Sequence, residues 1–190
     1  MISTAVAVRK AAIRDIHAIL DLINAYAAEG VMLPRTEFEM SENIRDFSVA
    51  YEEDILVGCG ALHFYTPLTA EVRSLAVRPQ VKQHGIGRAI VENLEAEARE
   101  NDLESVFAFT YVPGFFAKLG FAEVERGEMP LKAWKDCLRC PKFESCDEIP
   151  VLKRLRPPSE RTLFTDSHHH AEDFVQIASV LLPRLARTSS

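Results

Sequence analysis

Apolar residues recur along this chain with two periods, one typical of strands and one typical of helices. Hydrophobic and polar positions alternate weakly over residues 5–9, which predicts a first strand. Apolar side chains then repeat at helical spacing from Ile16 to Tyr26, and Gly30 ends the pattern. The chain is therefore expected to begin with a strand followed by an amphipathic helix.

The next part of the chain predicts a series of strands. Residues 31–47 contain two possible helix caps, Thr36 and Ser41, and predict a loop followed by short helical turns. Residues 47–65 predict two strands that are joined at a solvated acidic turn, and residues 70–77 predict another strand. A hairpin and a further strand thus follow the first helix.

The second half of the chain predicts alternating helices and strands. A strong helix presents the apolar face Ile86, Ile90, Leu94 and Ala98. Residues 105–111 predict a buried strand, residues 113–121 a short helix that ends at Gly120, and residues 121–129 a further strand. Beyond Met129 no clear period is visible. This order indicates a mixed α/β fold whose front half is largely antiparallel.

The C-terminal part of the chain is expected to be an appendage. Residues 1–155 are predicted to form one domain, and residues 156–190 a linker with an added amphipathic helix. The apolar positions of that helix are Phe174, Ile177, Ala178, Leu181 and Leu185, and Pro183 is expected to interrupt it. The helix could dock on its own domain or on a second copy of the chain, so a homodimer is one of the two arrangements left open.

Composition narrows the class of protein. With 190 residues and 47% hydrophobic residues, the chain is long enough for one domain with a substantial core. Its net charge of −6 argues against a protein whose main task is to coat nucleic acid. No apolar run reaches the roughly 18 residues of a membrane helix, and no signal peptide is recognisable at the start. We therefore expect a cytoplasmic protein, and any polyanion that it binds must be held at a local site.

The four cysteines are expected to be thiols or metal ligands and not a disulfide framework. Cys137, Cys140 and Cys146 have the spacing C-x2-C-x5-C, which suggests zinc. A tetrahedral structural site needs a fourth ligand, and neither Cys59 nor a nearby histidine is clearly placed to supply it. The preferred interpretation is a reduced or adventitiously oxidised thiol cluster, with no metal required.

The most informative segment lies between a predicted strand and a predicted helix. Gly85 and Gly87 let the backbone approach a ligand closely, and the helix that begins there adds the positive end of its dipole. Lys82 and Arg88 are available to neutralise an anion. The spacing matches neither the Walker phosphate-binding loop nor the dinucleotide-binding fingerprint. These residues predict a pyrophosphate site of another type, although a pair of glycines is also common in simple turns.

Three segments together resemble the GNAT superfamily of acyl-CoA-dependent N-acyltransferases. They are E-V-R-S-L-A-V-R-P at 71–79, K-Q-H-G-I-G at 82–87, and F-F-A-K-L-G-F at 115–121. The loop differs from the usual [RQ]-x-x-G-x-[GA] only at Lys82, which keeps the positive charge. The resemblance covers roughly residues 5–130. It implies a mixed, mostly antiparallel sheet that splays at the cofactor cleft and is flanked by helices.

Within that superfamily the chain resembles the stand-alone bacterial N-acetylglutamate synthases. The resemblance rests on G-V-M-L-P-R-T at 30–36, on the strand E-V-R-S-L-A-V at 71–77, on residues 107–121, and on the cysteine-containing segment 132–148. It implies acetyl transfer from acetyl-CoA to the α-amino group of L-glutamate, the first step of arginine biosynthesis. Another small-amine or peptide acceptor stays open, and so does a non-catalytic acyl-CoA sensor.

The resemblance also implies which residues contact the cofactor. The pantetheine arm would follow the backbone of Leu75, Ala76 and Val77, and the Val77 N–H would polarise the thioester oxygen. The pyrophosphate would meet the segment Lys82, Gln83, His84, Gly85, Ile86, Gly87 and Arg88.

Two residues are candidates for proton transfer. Family members with a glutamate at the position of Glu71 use it as general base, whereas a surface carboxylate is the structural alternative. Phe116 stands where many relatives have a proton-donating tyrosine, and Tyr111 is the nearest phenol that could replace it. A tyrosine of the core or rim is the alternative for Tyr111, and the thiolate could also leave unassisted or take its proton from the ammonium.

Two arginines are candidates for holding the carboxylates of glutamate, since a guanidinium binds a carboxylate bidentately. Arg35 matches an arginine that contacts glutamate in these synthases. Arg73 is placed by the period of two on the same strand face as Glu71 and Leu75. For both arginines, a solvated surface position is the alternative.

Overall fold

The computed structural model describes residues 6–82, 84–129, 142 and 145–157. The chain divides into two units, Met1–Arg156 and Pro157–Ser190, and every described helix and strand lies in the first. Gln83, Cys137, Cys140 and the predicted terminal helix lie outside the described residues, and so does the linker after Pro157. Within the described part, no helix is both long and apolar enough to cross a membrane.

Seven strands form one mixed sheet in the order β1-β2-β3-β4-β5-β7-β6. They are β1 (Ala7–Lys10), β2 (Phe47–Glu52), β3 (Ile55–Phe64), β4 (Thr69–Val77), β5 (Ser105–Thr110), β6 (Ala122–Glu123) and β7 (Ile149–Arg154). Neighbouring strands run antiparallel except β4 and β5, which are parallel. The predicted mixed and mostly antiparallel sheet is thereby confirmed.

Four α-helices accompany the sheet in the described residues: α1 (Ile16–Ala28), α2 (Glu37–Asn43), α3 (Ile86–Glu100) and α4 (Pro113–Ala117). The helix α2 begins where its sequence predicts, because Thr36 and Glu39 form a capping box in which the Glu39 N–H donates to Thr36 Oγ1 over 3.2 Å. Ser41 does not act as a cap, since it lies inside α2 and its hydroxyl donates to the Glu37 carbonyl. Short 3-10 turns precede α1 and follow α2.

The core has two main layers, one on each face of the sheet. Apolar residues of α1 and α2 pack against one face, and those of α3 and α4 pack against the other. Ile19 and Ile23 of α1 and Ile90 and Leu94 of α3 are completely buried. The helical periods predicted from the sequence therefore mark the sides of α1 and α3 that cover the sheet.

The end of the domain differs from the prediction. The strand expected over 121–129 is only the two-residue β6, and a 3-10 turn follows it at Arg126–Glu128. The strand β7 was not predicted, because Pro150 and its basic C-terminal end hide its strand pattern. It lies between β5 and β6 and pairs with both, so Pro150 occupies a strand interior.

Candidate active site

A cleft opens in the sheet between β4 and β5. These strands pair only from Thr69 with Ser105 to Glu71 with Phe107, and then separate. The strand β4 continues for six residues to Val77, while β5 continues to Thr110 without pairing to it. The unpaired strand edges face each other across this opening, so a ligand can bind backbone groups there. This is the splay that the resemblance implied.

A bulge in β4 reorients the strand within the cleft. Ser74 has a φ of +53°, and the register with β3 shifts between Cys59 and Ala61. The shift moves Ala76 to the α1 side and Leu75 to the α3 side of the sheet. Arg73 and Glu71 therefore do not share a face with Leu75, and that part of the prediction is wrong because the period of two is interrupted.

The end of β4 presents its backbone to the cleft. The Arg78 N–H donates to the Val57 carbonyl of β3 over 2.9 Å. Because successive backbone groups in a strand point to opposite edges, the N–H and carbonyl of Val77 point away from β3. The Val77 carbonyl accepts a hydrogen bond from Tyr26 Oη of α1 over 2.6 Å. The N–H of Val77 thus points away from β3, towards the side on which β4 and β5 separate.

The glycine segment begins α3 as predicted. Gly85 caps the helix with a φ of +81°, a conformation that disfavours any residue with a Cβ. A Cβ on Gly87 would contact Phe115 at 3.4 Å and Val77 at 3.6 Å, so the first turn lies against α4 and the end of β4. The first amides of α3 have no acceptor within the helix, which makes them available to an anion.

Side chains around this turn have distinct environments. Lys82 is exposed, and its Nζ lies 5.0 Å from the ring centre of Tyr26. Arg88 is also exposed, and its guanidinium lies 3.3 Å from Glu92 one turn along. His84 is exposed, whereas Ile86 is buried in the core, so only the backbone of Ile86 can contact a ligand. Lys82 and Arg88 therefore lie on either side of the amino end of α3 and do not cover it.

Glu71 lies where the two strands begin to separate, since it forms the last pair with β5. Its Oε2 accepts a hydrogen bond from Tyr65 Oη over 3.0 Å. On the other side, Glu71 is the register partner of His63 in β3. His63 Nδ1 in turn lies 2.6 Å from Asp46 Oδ2. The candidate base is therefore part of a polar cluster at the mouth of the splay.

The two candidate arginines are held differently. Arg73 is mostly buried, and its Nη2 lies 3.4 Å from Asn43 Oδ1 and 3.9 Å from Asp46 Oδ2. The backbone of Arg35 is held by Asn24 of α1, whose side-chain amide donates to the Arg35 carbonyl and accepts from its N–H. These bonds, of 3.0 and 2.9 Å, hold the loop between α1 and α2 against α1.

Tyr111 follows the end of β5 and is 39% exposed. It lies four residues beyond Phe107, which forms the last pair between β5 and β4. Lys142 Nζ donates to Tyr111 Oη over 3.2 Å. Desolvation by the surrounding protein raises the pKa of Tyr111, so the phenol keeps its proton at neutral pH.

Phe116 is buried, and its ring packs edge-on against Phe115 and Phe121. It therefore anchors α4 in the core. No proton can come from this position, as the sequence indicates.

Of the cysteines, Cys59 and Cys146 lie within the described residues. Cys59 is fully buried in β3, and desolvation raises the pKa of its thiol to about 12. Such a thiol is a packing group and not a nucleophile at neutral pH. In the part of the chain that the structure describes, no cluster of three or more His, Cys, Asp or Glu side chains is arranged to hold a metal ion.

Sequence reasoning missed several residues that shape the cleft, which are Tyr26, Asn24 and Lys142 and, around Glu71, Tyr65, His63 and Asp46. Tyr26 belongs to the apolar stripe of α1, and its hydroxyl reaches the Val77 carbonyl of β4. Asn24 is a polar residue next to that stripe, which is a weak signal for a structural hydrogen bond. Lys142 lies in a segment without a period, so nothing in the sequence connects it to Tyr111.

This fold and this cleft define an acetyltransferase of the GNAT class. Residues 16–121 match the Acetyltransferase (GNAT) family, and the chain belongs to that family. It is 44% identical over 148 residues to an uncharacterized N-acetyltransferase of Chlorobaculum tepidum, and the match covers 78% of this chain and 96% of that protein. The protein is thus an N-acetyltransferase of GNAT type.

Further relatives are named for amino-acid substrates. An amino-acid acetyltransferase of Mycobacterium tuberculosis is 40% identical over 62% of this chain and 69% of its own length. The crystal structure of Rv2747 from the same organism, in complex with coenzyme A and a second ligand, has a TM-score of 0.67 at 32% identity and covers 78% of this chain and 99% of that one.

The structure of N-acetylglutamate synthase from Neisseria gonorrhoeae, complexed with coenzyme A and N-acetyl-glutamate, has a TM-score of 0.74 at 26% identity. The match covers 82% of this chain and 36% of the Neisseria protein. This chain therefore corresponds to about a third of that longer enzyme.

Proposed function

We propose that this protein transfers the acetyl group of acetyl-CoA to the α-amino group of L-glutamate, by direct attack in a ternary complex and without a metal. The observation that carries the proposal is the splay between β4 and β5, with Glu71 at its base and the amino end of α3 at its other end. Relatives that are named amino-acid acetyltransferase or N-acetylglutamate synthase support the choice of acceptor.

On this proposal, acetyl-CoA lies along the unpaired edge of β4. The backbone of Leu75, Ala76 and Val77 binds the pantetheine arm, and the amides at the start of α3 bind the pyrophosphate. Gly85 and Gly87 leave room for the phosphates because neither carries a side chain. Lys82 and Arg88 flank the site, and their exposed cations attract the phosphates.

The reaction requires an uncharged amine and a stabilised oxyanion. Glu71 takes a proton from the α-ammonium, directly or through a water, which is worth about 10²- to 10⁴-fold in rate. The N–H of Val77 donates to the thioester oxygen as negative charge develops there, worth roughly 3 kcal/mol. Tyr111 donates its proton to the departing thiolate, because it follows the end of β5 and, like any tyrosine, is protonated at neutral pH.

The two carboxylates of glutamate require cations in a defined arrangement. The loop that carries Arg35 is held to α1 by Asn24, so the guanidinium extends from a restrained backbone. Arg73 is restrained as well, by Asn43 and Asp46. We assign the two arginines to the carboxylates of the acceptor, and we infer a role in arginine biosynthesis in the cytoplasm.

The domain boundaries belong to the same proposal. We assign residues 1–155 to the catalytic domain and residues 156–190 to an appendage outside it. The reaction requires no partner beyond the two small-molecule substrates, neither a nucleic acid nor a membrane.

Thiol release from acetyl-CoA, measured across a panel of amino acids and polyamines, tests this function. We expect L-glutamate to give the highest kcat/KM, and L-glutamine and L-aspartate to be weaker because each lacks the correctly spaced second carboxylate. A polyamine or peptide as best acceptor would contradict the choice of glutamate. Calorimetric binding of coenzyme A without turnover of any amine would identify a sensor and not an enzyme.

A further inference from the structure

We propose that His63 and Asp46 form a relay that carries the proton from Glu71 to solvent in each turnover. The inference rests on the proposed function, since it assumes that Glu71 accepts the proton of the amine. His63 is not assigned a contact with the substrates. Its proposed role is to take up the proton that Glu71 has accepted.

The pairing of β3 and β4 brings His63 to Glu71. The two are direct register partners, so their side chains lie on the same face of the sheet. Directly opposed Cβ atoms in antiparallel strands are about 4.5–5.5 Å apart, a distance that a glutamate and a histidine side chain can bridge with or without one water. Tyr65 contacts both residues. Its ring lies edge-on to that of His63 with the ring centres 5.0 Å apart, and its hydroxyl donates a hydrogen bond to Glu71.

Asp46 orients the imidazole. It comes from the 3-10 turn Ile44–Asp46 that follows α2, and its Oδ2 lies 2.6 Å from His63 Nδ1. Because a carboxylate only accepts hydrogen bonds, Nδ1 of the neutral ring carries the proton in this contact. The other nitrogen, Nε2, is then the acceptor, as a relay from Glu71 requires.

The surroundings of His63 allow a proton to pass from its ring to solvent. The charged and titratable groups that the described residues bring to it are Asp46 from the turn, Tyr65 from the end of β3, and Glu71 and Arg73 from β4. Arg73 lies 3.9 Å from Asp46 and limits the movement of that carboxylate. The side chains of His63 and Asp46 are 22% and 24% exposed, so both contact solvent at the rim.

The stoichiometry of acetyl transfer requires such an exit. The N–C bond forms, the C–S bond breaks, and the α-ammonium loses two protons in becoming an amide. One proton restores Tyr111 after this phenol has protonated the sulfur of coenzyme A, and the other, taken up by Glu71, leaves the protein. Glu71 must therefore lose the proton it has accepted before the next amine binds. Transfer to Nε2 of His63, followed by release from the imidazolium to water, regenerates both groups.

Steady-state kinetics of the full-length protein test the relay, with His17→Gln as the matched control. His17 is an exposed histidine on α1, and we expect its replacement to leave the rate unchanged. His63→Gln keeps a donor for Asp46 but cannot pass on a proton. We expect it to lower kcat about 10- to 100-fold, with the KM for acetyl-CoA within about twofold, and to change the pH profile of kcat.

Chemical rescue separates a relay from a structural role. Added imidazole should restore a large part of kcat to His63→Ala and leave the wild-type rate unchanged. A loss in His63→Ala that imidazole does not restore, or a pH profile identical to that of the wild type, would overturn the relay. The activity of the wild-type protein in the same assay tests the proposed acetyl transfer itself. If the protein acetylates another amine and not glutamate, the relay is judged with that amine, and if it acetylates none, both proposals are wrong.

Discussion

In the proposed function, the two halves of the cleft recognise their ligands by different means. The cofactor half, from the bulge in β4 to the start of α3, offers mainly backbone groups: the end of β4 and the first amides of a helix. The acceptor half offers side chains from several elements, including Arg35, His63, Glu71 and Arg73. A backbone site is set by local conformation, whereas a side-chain site depends on how distant elements pack. Mutations should therefore affect the two halves differently.

The largest effect is expected at the base of the acceptor half. Glu71→Gln removes the proton acceptor but keeps the size of the side chain and a hydrogen bond to Tyr65. We expect kcat with glutamate at neutral pH to fall by about 10² or more. Part of the rate should return at alkaline pH, where more of the amine is already uncharged.

The KM for acetyl-CoA is the internal control for Glu71→Gln, and we expect it to change less than about threefold. An unaltered rate and pH profile would show that Glu71 is not the base, whichever amine is the acceptor.

The stability of the domain, and with it of both halves of the cleft, is expected to depend on Asp15, which ties the start of α1 to β1 and β2. This carboxylate is buried, binds Arg9 through two contacts of 2.8 Å, and accepts further bonds from Tyr51 and the Ala12 N–H. The bonds from Arg9 are the main reason that the pKa of Asp15 lies far below its ordinary value. We expect Asp15→Asn to lower the free energy of unfolding by about 2 kcal/mol, as seen in urea denaturation at pH 7.

The pH dependence of this contribution has a definite sign. Because folding lowers the pKa of Asp15, its stabilisation is complete above the unfolded pKa of about 4 and is lost as pH falls below it. The stability difference between wild type and Asp15→Asn should therefore shrink in acid. Asp21→Asn, at an exposed position of α1, is the matched control. A difference that stays constant down to a pH of about 2 would contradict this account.

The choice of acceptor is tested at Arg35. We expect Arg35→Ala to raise the KM for glutamate at least about tenfold and to change the KM for acetyl-CoA little, because a charged hydrogen bond to a carboxylate is lost. Arg14→Ala, at an exposed position before α1, serves as the control. An unchanged KM for glutamate in Arg35→Ala would argue for a different acceptor.

The smallest effect is expected in the cofactor half. Gly85→Ala adds a methyl group that meets no atom within 4 Å, so its effect comes only from the φ of +81°. A strain of about 1–2 kcal/mol should displace the turn and raise the KM for acetyl-CoA several-fold.

Gly127→Ala is the comparison for this variant, because its methyl group also meets nothing and Gly127 has no positive φ. Equal KM values for acetyl-CoA in the two variants would show that the turn at Gly85 does not support the cofactor.

Much of the fold could be predicted because its elements carry local signals. The apolar stripes of α1 and α3, the acidic turn between β2 and β3 and the cap at Thr36 all lie where the pattern places them. The strand β7 could not be predicted, since it is stabilised by pairing with β5 and β6 and not by its own pattern. The bulge at Ser74 was missed for a related reason, because a positive φ at serine has no sequence signal.

The candidate site divides in the same way. The glycine turn and the strand before it could be located from spacing, because both act through their own backbone. The contacts of Tyr26 with Val77, of Asn24 with Arg35 and of Asp46 with His63 join residues that are 51, 11 and 17 positions apart. No periodicity connects such pairs, so only the packed sheet and helices reveal them.

The amino-acid sequence by itself determined the order of most elements, the mixed sheet, the helix that begins at paired glycines and the resemblance to acyl-CoA-dependent transferases. These depend on the period of apolar side chains and on backbone freedom at a few positions, which are local properties. The tertiary structure decided which face of β4 each residue occupies beyond Ser74, how far the cleft opens, and which side chains surround Glu71. Those features arise from strand register and helix packing, where residues far apart in the chain come into contact.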